Sequence, residues 1–314
     1  MDHGAAEPLY GPPRTFGGLG GPVHSYDSAR VVILPVPYDA TTTFRGGTRD
    51  GARAILDASM QMELYDPELK CEPAEVGIFT MLELEPHLAG PEHMVRRVER
   101  AVGQLLDDGK LPLMLGGEHT LTAGAVAACA ARHPDLAILY LDAHADVRDP
   151  YLGAEWNHAS ALRLSMRYLR WADGEAPPVA AVGIRSLASE EAAFIEQSKL
   201  KVVWGEEIAS ARYGGQASVD ALWSNALDRL GPPGRPLYVS VDLDGFDPSV
   251  VAAVGTPEPG GLLWYETLAL LRRAADRFRV VMADVVELAP SEGPVAGAFA
   301  AAKLAYKLIG YSSS

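Results

Sequence analysis

The sequence has little cysteine. Cys71 and Cys129 are its only two, too few for a disulfide framework or a zinc–cysteine cluster. Positive charge is also short. Lys and Arg number 27 against 41 Asp and Glu, a formal net charge of −14. That balance disfavours nucleic acid and anionic membranes, which call for a basic patch. It is compatible with a cationic substrate or bound metal ions. No apolar run is long enough to span a membrane. The opening stretch, MDHGAAEPLYGPPRTFGGLGG, is rich in Gly and Pro and lacks the apolar core of a secretory signal. The expectation is a cytoplasmic protein. There is no internal repeat and no interior linker.

What is present is an ordinary globular composition, 48% hydrophobic and 22% charged over 314 residues, with length enough for a sizeable core. Residues 1–28 read as an irregular N-terminal arm and 29–314 as a single domain. Short β-rich runs occur at 31–35, 76–80, 112–115, 136–141, 179–184, 201–204, 237–241 and 279–283. Most are continuously apolar, the pattern of strands buried on both faces of a parallel sheet. Helical patterns lie between them near 51–63, 91–108, 120–132, 158–170, 188–198, 216–230, 264–277 and 295–309. The alternation predicts an α/β fold. The last residues, YSSS, are expected to fray.

Four polar clusters fall just past strand ends. GGEH (116–119), DAHAD (142–146), DLDGFD (242–247) and Glu287 each follow an apolar run. In an open parallel sheet that edge binds ligands, so the four should converge. In an extended segment, Asp142, His144 and Asp146 share a face and can reach one point. Asp242 and Asp244 do the same. Four buried, mutually repelling carboxylates are costly unless divalent cations neutralise them. With His119 added, the set has four carboxylates, two imidazoles and no thiolate, which suits Mn²⁺ better than structural Zn²⁺. A lone DxH or GGEH is commonly a polar strand end or a Gly-rich turn; all of them together, each after an apolar strand, are hard to explain that way.

LGGEHTLT, YLDAHADVRD, NHAS and SVDLDGFDP…GTPEPGG resemble the ureohydrolases, the manganese enzymes that include arginase and agmatinase. FRGGTRDGARAI (44–55) resembles the family's early substrate-side loop; Asp50 also reads as a helix cap there. The resemblance spans about residues 30 to 309 and implies an arginase-like three-layer α/β/α fold with a central, mostly parallel sheet of about eight strands. It implies two Mn²⁺ ions, with His119 and His144 each ligating one, Asp142, Asp146 and Asp242 as carboxylate ligands, some of them bridging, and Asp244 completing the second ion's shell. It implies His158 as a mobile catalytic histidine and Glu287 as the guanidinium anchor. Metal-acidified water would attack the guanidinium carbon. Asp146 would carry the proton to the leaving amine, and His158 would shuttle protons to solvent. Bacterial relatives are commonly oligomers, often hexamers, so a homo-oligomer is implied.

Two departures bear on the substrate. Ala252 and Ala253 stand where the family usually has a Pro-Gly pair. The loop 147–157, VRDPYLGAEWN, has no Ser or Thr to hold an α-amino-acid end. Asp149 and Glu155 suit a cationic amine tail, as in agmatine, or are simply solvated. Arg148 and Arg185 are candidates to receive a carboxylate, or to form structural ion pairs. Agmatinase is the preferred reading. Arginase, a guanidino-acid hydrolase such as guanidinobutyrase, and formimidoglutamase remain open. So do a metal binder without turnover and a two-metal phosphoesterase, though His158 and Glu287 fit neither.

Overall fold

The computed structural model describes residues 11–172, 174–215 and 217–313. Eight strands form one sheet: β1 (Val31–Pro35), β2 (Ile78–Thr80), β3 (Leu111–Leu115), β4 (Ala137–Leu141), β5 (Val179–Ile184), β6 (Lys201–Trp204), β7 (Pro236–Asp242) and β8 (Arg279–Val286). Their order is β2-β1-β3-β8-β7-β4-β5-β6, and every pairing is parallel. The helices are α1 (Gly51–Ser59), α2 (Pro91–Asp107), α3 (Thr122–Arg132), α4 (Ala161–Met166), α5 (Ser189–Ser198), α6 (Gly205–Arg212), α7 (Val219–Arg229), α8 (Trp264–Arg277) and α9 (Ala296–Ser313).

Alternate residues of each strand feed two separate cores, which is why the runs read as continuously apolar. Val31, Ile33, Leu139 and Leu141 pack with Ile55 of α1, Trp223 of α7, Leu271 of α8 and Leu304 of α9. Val32, Leu34, Ile138 and Tyr140 pack on the opposite face with Val98 of α2, Val126 of α3, Leu162 of α4 and Ile195 of α5. The result is the expected α/β/α sandwich around an eight-stranded parallel sheet.

Three local expectations change. Helix α6 is additional to the expected helices, since β6 runs into it without a turn; Glu207 caps it by accepting the Trp204 N–H at 3.0 Å. The chain end is helical through Ser313, held by the Tyr311 hydroxyl donating to Glu68 at 2.8 Å and by Arg30 donating to the Ser313 carbonyl at 3.1 Å. Asp50 stands at the N-cap of α1 in helical rather than extended backbone, so its side chain makes no capping bond.

Residues 1–10 of the expected arm lie outside the described residues. From Gly11 onward the arm is short turns packed on the chain itself. Phe16 is fully buried, its ring 6.4 Å from Tyr306, and Arg14 donates to Asp57 at 2.8 Å.

Candidate metal centre and active site

The five adjacent strands β3, β8, β7, β4 and β5 bring the site together at their carboxyl ends. After β3 the chain passes under the 38–41 loop. A Cβ on Gly117 would lie 1.8 Å from the Tyr38 carbonyl oxygen, so only glycine lets GGEH through. Glu118 is then buried and accepts the N–H groups of Ala40 and Thr41 at 2.6 and 2.7 Å.

His119 follows, fully enclosed and stacked on Tyr140 with ring centroids 4.7 Å apart. Its tautomer can be read from its neighbours. Ser240 Oγ donates to Asp284 Oδ1 at 2.7 Å, so Ser240 can only accept from His119 Nε2 at 2.8 Å. The Tyr238 hydroxyl and Thr122 complete the Asp284 shell. Nδ1 therefore faces Asp242 Oδ2, Asp142 Oδ2 and Asp146 Oδ2 at 2.9, 3.1 and 3.4 Å. Burial acts downward on His119, but Asp142 and Asp242 hold its imidazole well above the ordinary range, so the Nδ1 position favours a proton or, in its place, a cation among the three oxygens.

Asp142 also faces a second group. His144 Nδ1 lies 3.6 Å from Asp142 Oδ1 and 3.0 Å from Asp244 Oδ2. His119, Asp142 and Asp146 form one set able to hold a metal ion, and Asp142, His144 and Asp244 another. The expectation that Asp142, His144 and Asp146 meet at one point is corrected. Asp146 has φ of 51°, which turns it out of the strand pleat toward His119. Asp142 is common to both sets, and its Oδ2 is buried without a hydrogen-bond partner. That orphaned oxygen, inside a cluster of oxygen and imidazole donors, fits divalent cations. Close packing holds the geometry: a Cβ on Gly245 would lie 2.9 Å from the Asp142 nitrogen.

The electrostatics agree. Burial pushes the Asp146 carboxyl well up, and the Asp142 charge adds to this. Asp242 is raised by burial and then by Asp244 and Asp142. Burial acts upward on Asp142 too, but the imidazoles of His119 and His144 hold it below the usual carboxylate range. Glu287 is pushed well up by burial, against the pull of the His119 N–H, which donates to its Oε1 at 2.6 Å. Glu287 has φ of 63°, so two site residues, Asp146 and Glu287, sit in left-handed backbone at a cost of about 1–3 kcal/mol each.

Above the ligands lies a cavity of about 240 Å³, lined by His144, Asp146, Asp242, Asp244 and Glu287 below and by Thr43, Arg148, Tyr151, His158, Glu191 and Thr256 around the walls. His158 donates its N–H to Thr41 Oγ1 at 2.9 Å, and its Nε2 is 3.3 Å from Thr43 Oγ1. Burial, then the nearby imidazoles of His144 and His119, pushes His158 down to about 4, below the range of an ordinary proton shuttle.

The wall differs from expectation. Arg148 does line the cavity, stacked over Tyr151 at 4.3 Å and held by Glu190 and Glu191 at 3.5 and 3.6 Å. Asp149 and Glu155 do not line it. Arg163 of α4 takes Asp149 at 2.9 Å and Arg167 takes Glu155 at 2.5 Å, both on the surface. Arg185 makes no ion pair among the described residues; it bonds main-chain carbonyls instead. The acid that does face the cavity is Glu191 of α5, fixed by the N–H groups of Val147 and Ala188 at 3.1 and 2.8 Å. Its only trace in the sequence is the acidic pair in SEEAAF. Ala253 supports the site from outside, its carbonyl accepting the Ala289 N–H at 2.8 Å.

Residues 29–310 match the family model described as Arginase family. The chain is 37% identical over 297 residues to an N(1)-aminopropylagmatine ureohydrolase of Synechocystis, covering 92% of this chain and 91% of that protein. It is 34% identical over 268 residues to an agmatinase of Bacillus anthracis, covering 85% and 86%. The solved proclavaminate amidino hydrolase of Streptomyces clavuligerus aligns with a TM-score of 0.84 at 26% identity, covering 96% of this chain and 99% of that one. Fold and site together define a hydrolase of amidine C–N bonds. The chain belongs to the arginase family, as one of its ureohydrolases.

Proposed function

We propose that the protein is a binuclear manganese hydrolase of a guanidino compound carrying a cationic amine tail, with agmatine as substrate and putrescine and urea as products. The observation that carries this reading is Asp142, shared by two ligand sets with an unpartnered buried oxygen, directly below a cavity that contains Glu287. The six ligands are His119, Asp142, His144, Asp146, Asp242 and Asp244. When bound, the cations acidify water so that a strong nucleophile exists near neutrality.

The chain's own residues supply the rest. Glu287 is held by its Oε1, and its Oε2 makes no hydrogen bond among the described residues. That oxygen is free to pair with a guanidinium N–H, and the cation offsets the burial that raises the carboxyl. Asp146, at the floor of the cavity, takes the proton released by the attacking water and gives it to the leaving nitrogen. His158 is neutral near pH 7 and positions or relays protons at Nε2, beside the Thr43 hydroxyl. Glu191 and the Tyr151 ring face the tail, and Arg148 is neutralised by Glu190 and Glu191. This arrangement favours an amine tail over a carboxylate.

N(1)-Aminopropylagmatine is a second reading, favoured by the name of the Synechocystis relative. We further propose a cytoplasmic homo-oligomer. An apolar groove across α8 and α9, with Tyr265 and Val295 exposed, supports subunit packing; the hexamer implied by the resemblance is one form of it. Among the described residues no helix is long and apolar enough to cross a membrane.

The test is a substrate panel. Manganese-loaded protein is given agmatine, N(1)-aminopropylagmatine, arginine, guanidinobutyrate and formimidoglutamate, and urea and formamide are assayed. Urea should come fastest from one of the first two. Urea from arginine but from neither of them overturns the amine-tail reading.

A further inference from the structure

Arg185 follows β5, and its side chain runs behind one half of the metal centre. Its guanidinium donates to six main-chain carbonyls: Gly183 at 3.2 Å, Asp244 at 2.9 Å, Gly245 at 3.1 Å, Phe246 at 3.2 Å, Glu258 at 3.0 Å and Pro259 at 3.1 Å. A guanidinium has only five N–H donors, so at least one is shared between two oxygens.

These acceptors are not scattered. Asp244 is itself a ligand in the set with Asp142 and His144. The 256–259 loop reaches the same set through two side chains. Thr256 Oγ1 donates to Asp244 Oδ2 at 3.2 Å, and Glu258 Oε1 lies 3.8 Å from His144 Nε2. Arg185 also donates its own N–H to the Ala143 carbonyl at 2.8 Å, one residue before His144. The His119 set is oriented differently, by Ser240, Tyr140, Glu287 and the Arg163 N–H on the Asp146 carbonyl. Arg185 bonds to none of these.

We propose that Arg185 is a positioning residue that sets the metal affinity of the Asp142–His144–Asp244 set and leaves the His119 set untouched. It does so by clamping two loops, 244–246 and 256–259, into one rigid wall. Lysine cannot replace it, because three donors on one flexible stem cannot span six carbonyls. The inference rests on the two-ion reading of the site.

The experiment measures manganese bound per folded chain by equilibrium dialysis over a range of free manganese. Wild type should bind two ions. Arg185→Lys should keep one at wild-type affinity and weaken the other by about tenfold to a hundredfold. Adding His144→Asn to Arg185→Lys should abolish binding of the weakened ion and leave the tight one, whereas adding His119→Asn should abolish the tight one. If wild type binds fewer than two ions, the two-ion reading fails and the proposal with it. If wild type binds two and Arg185→Lys weakens both equally or neither, the clamp alone is wrong. Should Arg185→Lys not fold, Thr256→Val decides: weakening of one ion supports the clamp, and equal weakening or none overturns it.

Discussion

His119 and His144 both bring Nδ1 to Asp142, but from different kinds of wall. His119 is 1% exposed, stacked on Tyr140 and bonded through Ser240 to a buried Asp284. His144 has a side chain 26% exposed, with Glu258 Oε1 3.8 Å from its second nitrogen. The inner half is oriented side chain by side chain, through a chain of donors that fixes the tautomer. The outer half is oriented by backbone, through loops held at their carbonyls. The contrast separates two tasks. On the proposed two-ion reading, the inner half would hold an ion and also serve as core, whereas the outer half would hold an ion and admit substrate.

The largest effects should come from breaking each half in turn. His119→Asn and His144→Asn should each lower turnover by at least about a thousandfold, since electrophilic and nucleophile-generating metal effects are worth several kcal/mol. Their stability costs should differ. In metal-free protein, His119→Asn leaves Ser240 without its donor and should cost about 1–3 kcal/mol in denaturant unfolding. His144→Asn, at the partly exposed position, should cost about 1 kcal/mol less. Equal costs would remove the distinction between the halves.

His158 sharpens the comparison at the next level, because it stands at the cavity wall with its Nε2 beside the Thr43 hydroxyl. Burial depresses it to about 4, so its neutral form prevails at every pH above that value. His158→Asn should therefore lower kcat by about a hundredfold, evenly between pH 6 and 9, with manganese content unchanged. An acid limb near 6.5 that vanishes in the variant would show an unperturbed imidazole instead.

Much of this organisation is legible in the sequence, for a physical reason. Strands buried on both faces leave continuous apolar runs, and candidate metal ligands at strand ends interrupt them with acids and imidazoles, as at Leu141-Asp142. The division of the candidate ligands into two sets is implied by the family resemblance, which puts His119 and His144 on separate ions, but their spacing alone does not reveal it. It depends on the backbone turn at Asp146, a left-handed conformation that the residue type does not announce. Arg185 is hidden for another reason: its partners are carbonyls, which every residue carries, so no complementary acid marks its role. Helix α6 is hard to read from the sequence because it is only eight residues long and begins at Gly205, directly after β6. Asp149 and Glu155 mislead in the sequence, since a loop acid looks the same whether it faces a cavity or, as here, Arg163 and Arg167.

Those two acids supply the smallest expected effect. Asp149 and Glu155 have side chains 64% and 51% exposed and are paired with Arg163 and Arg167. Exposed pairs of this kind are worth about 0–1 kcal/mol. Asp149→Asn and Glu155→Gln should therefore change KM for an amine-tailed substrate by less than about twofold, with no loss of bound manganese. Glu191→Gln, which alters a carboxylate inside the cavity, should raise KM by about tenfold, the effect of losing one charge-assisted contact. A tenfold rise for Asp149→Asn, with Glu191→Gln silent, would put the tail outside the described cavity. The 147–157 loop would then have to close inward when substrate binds, making the outer half of the site a moving wall rather than a clamped one.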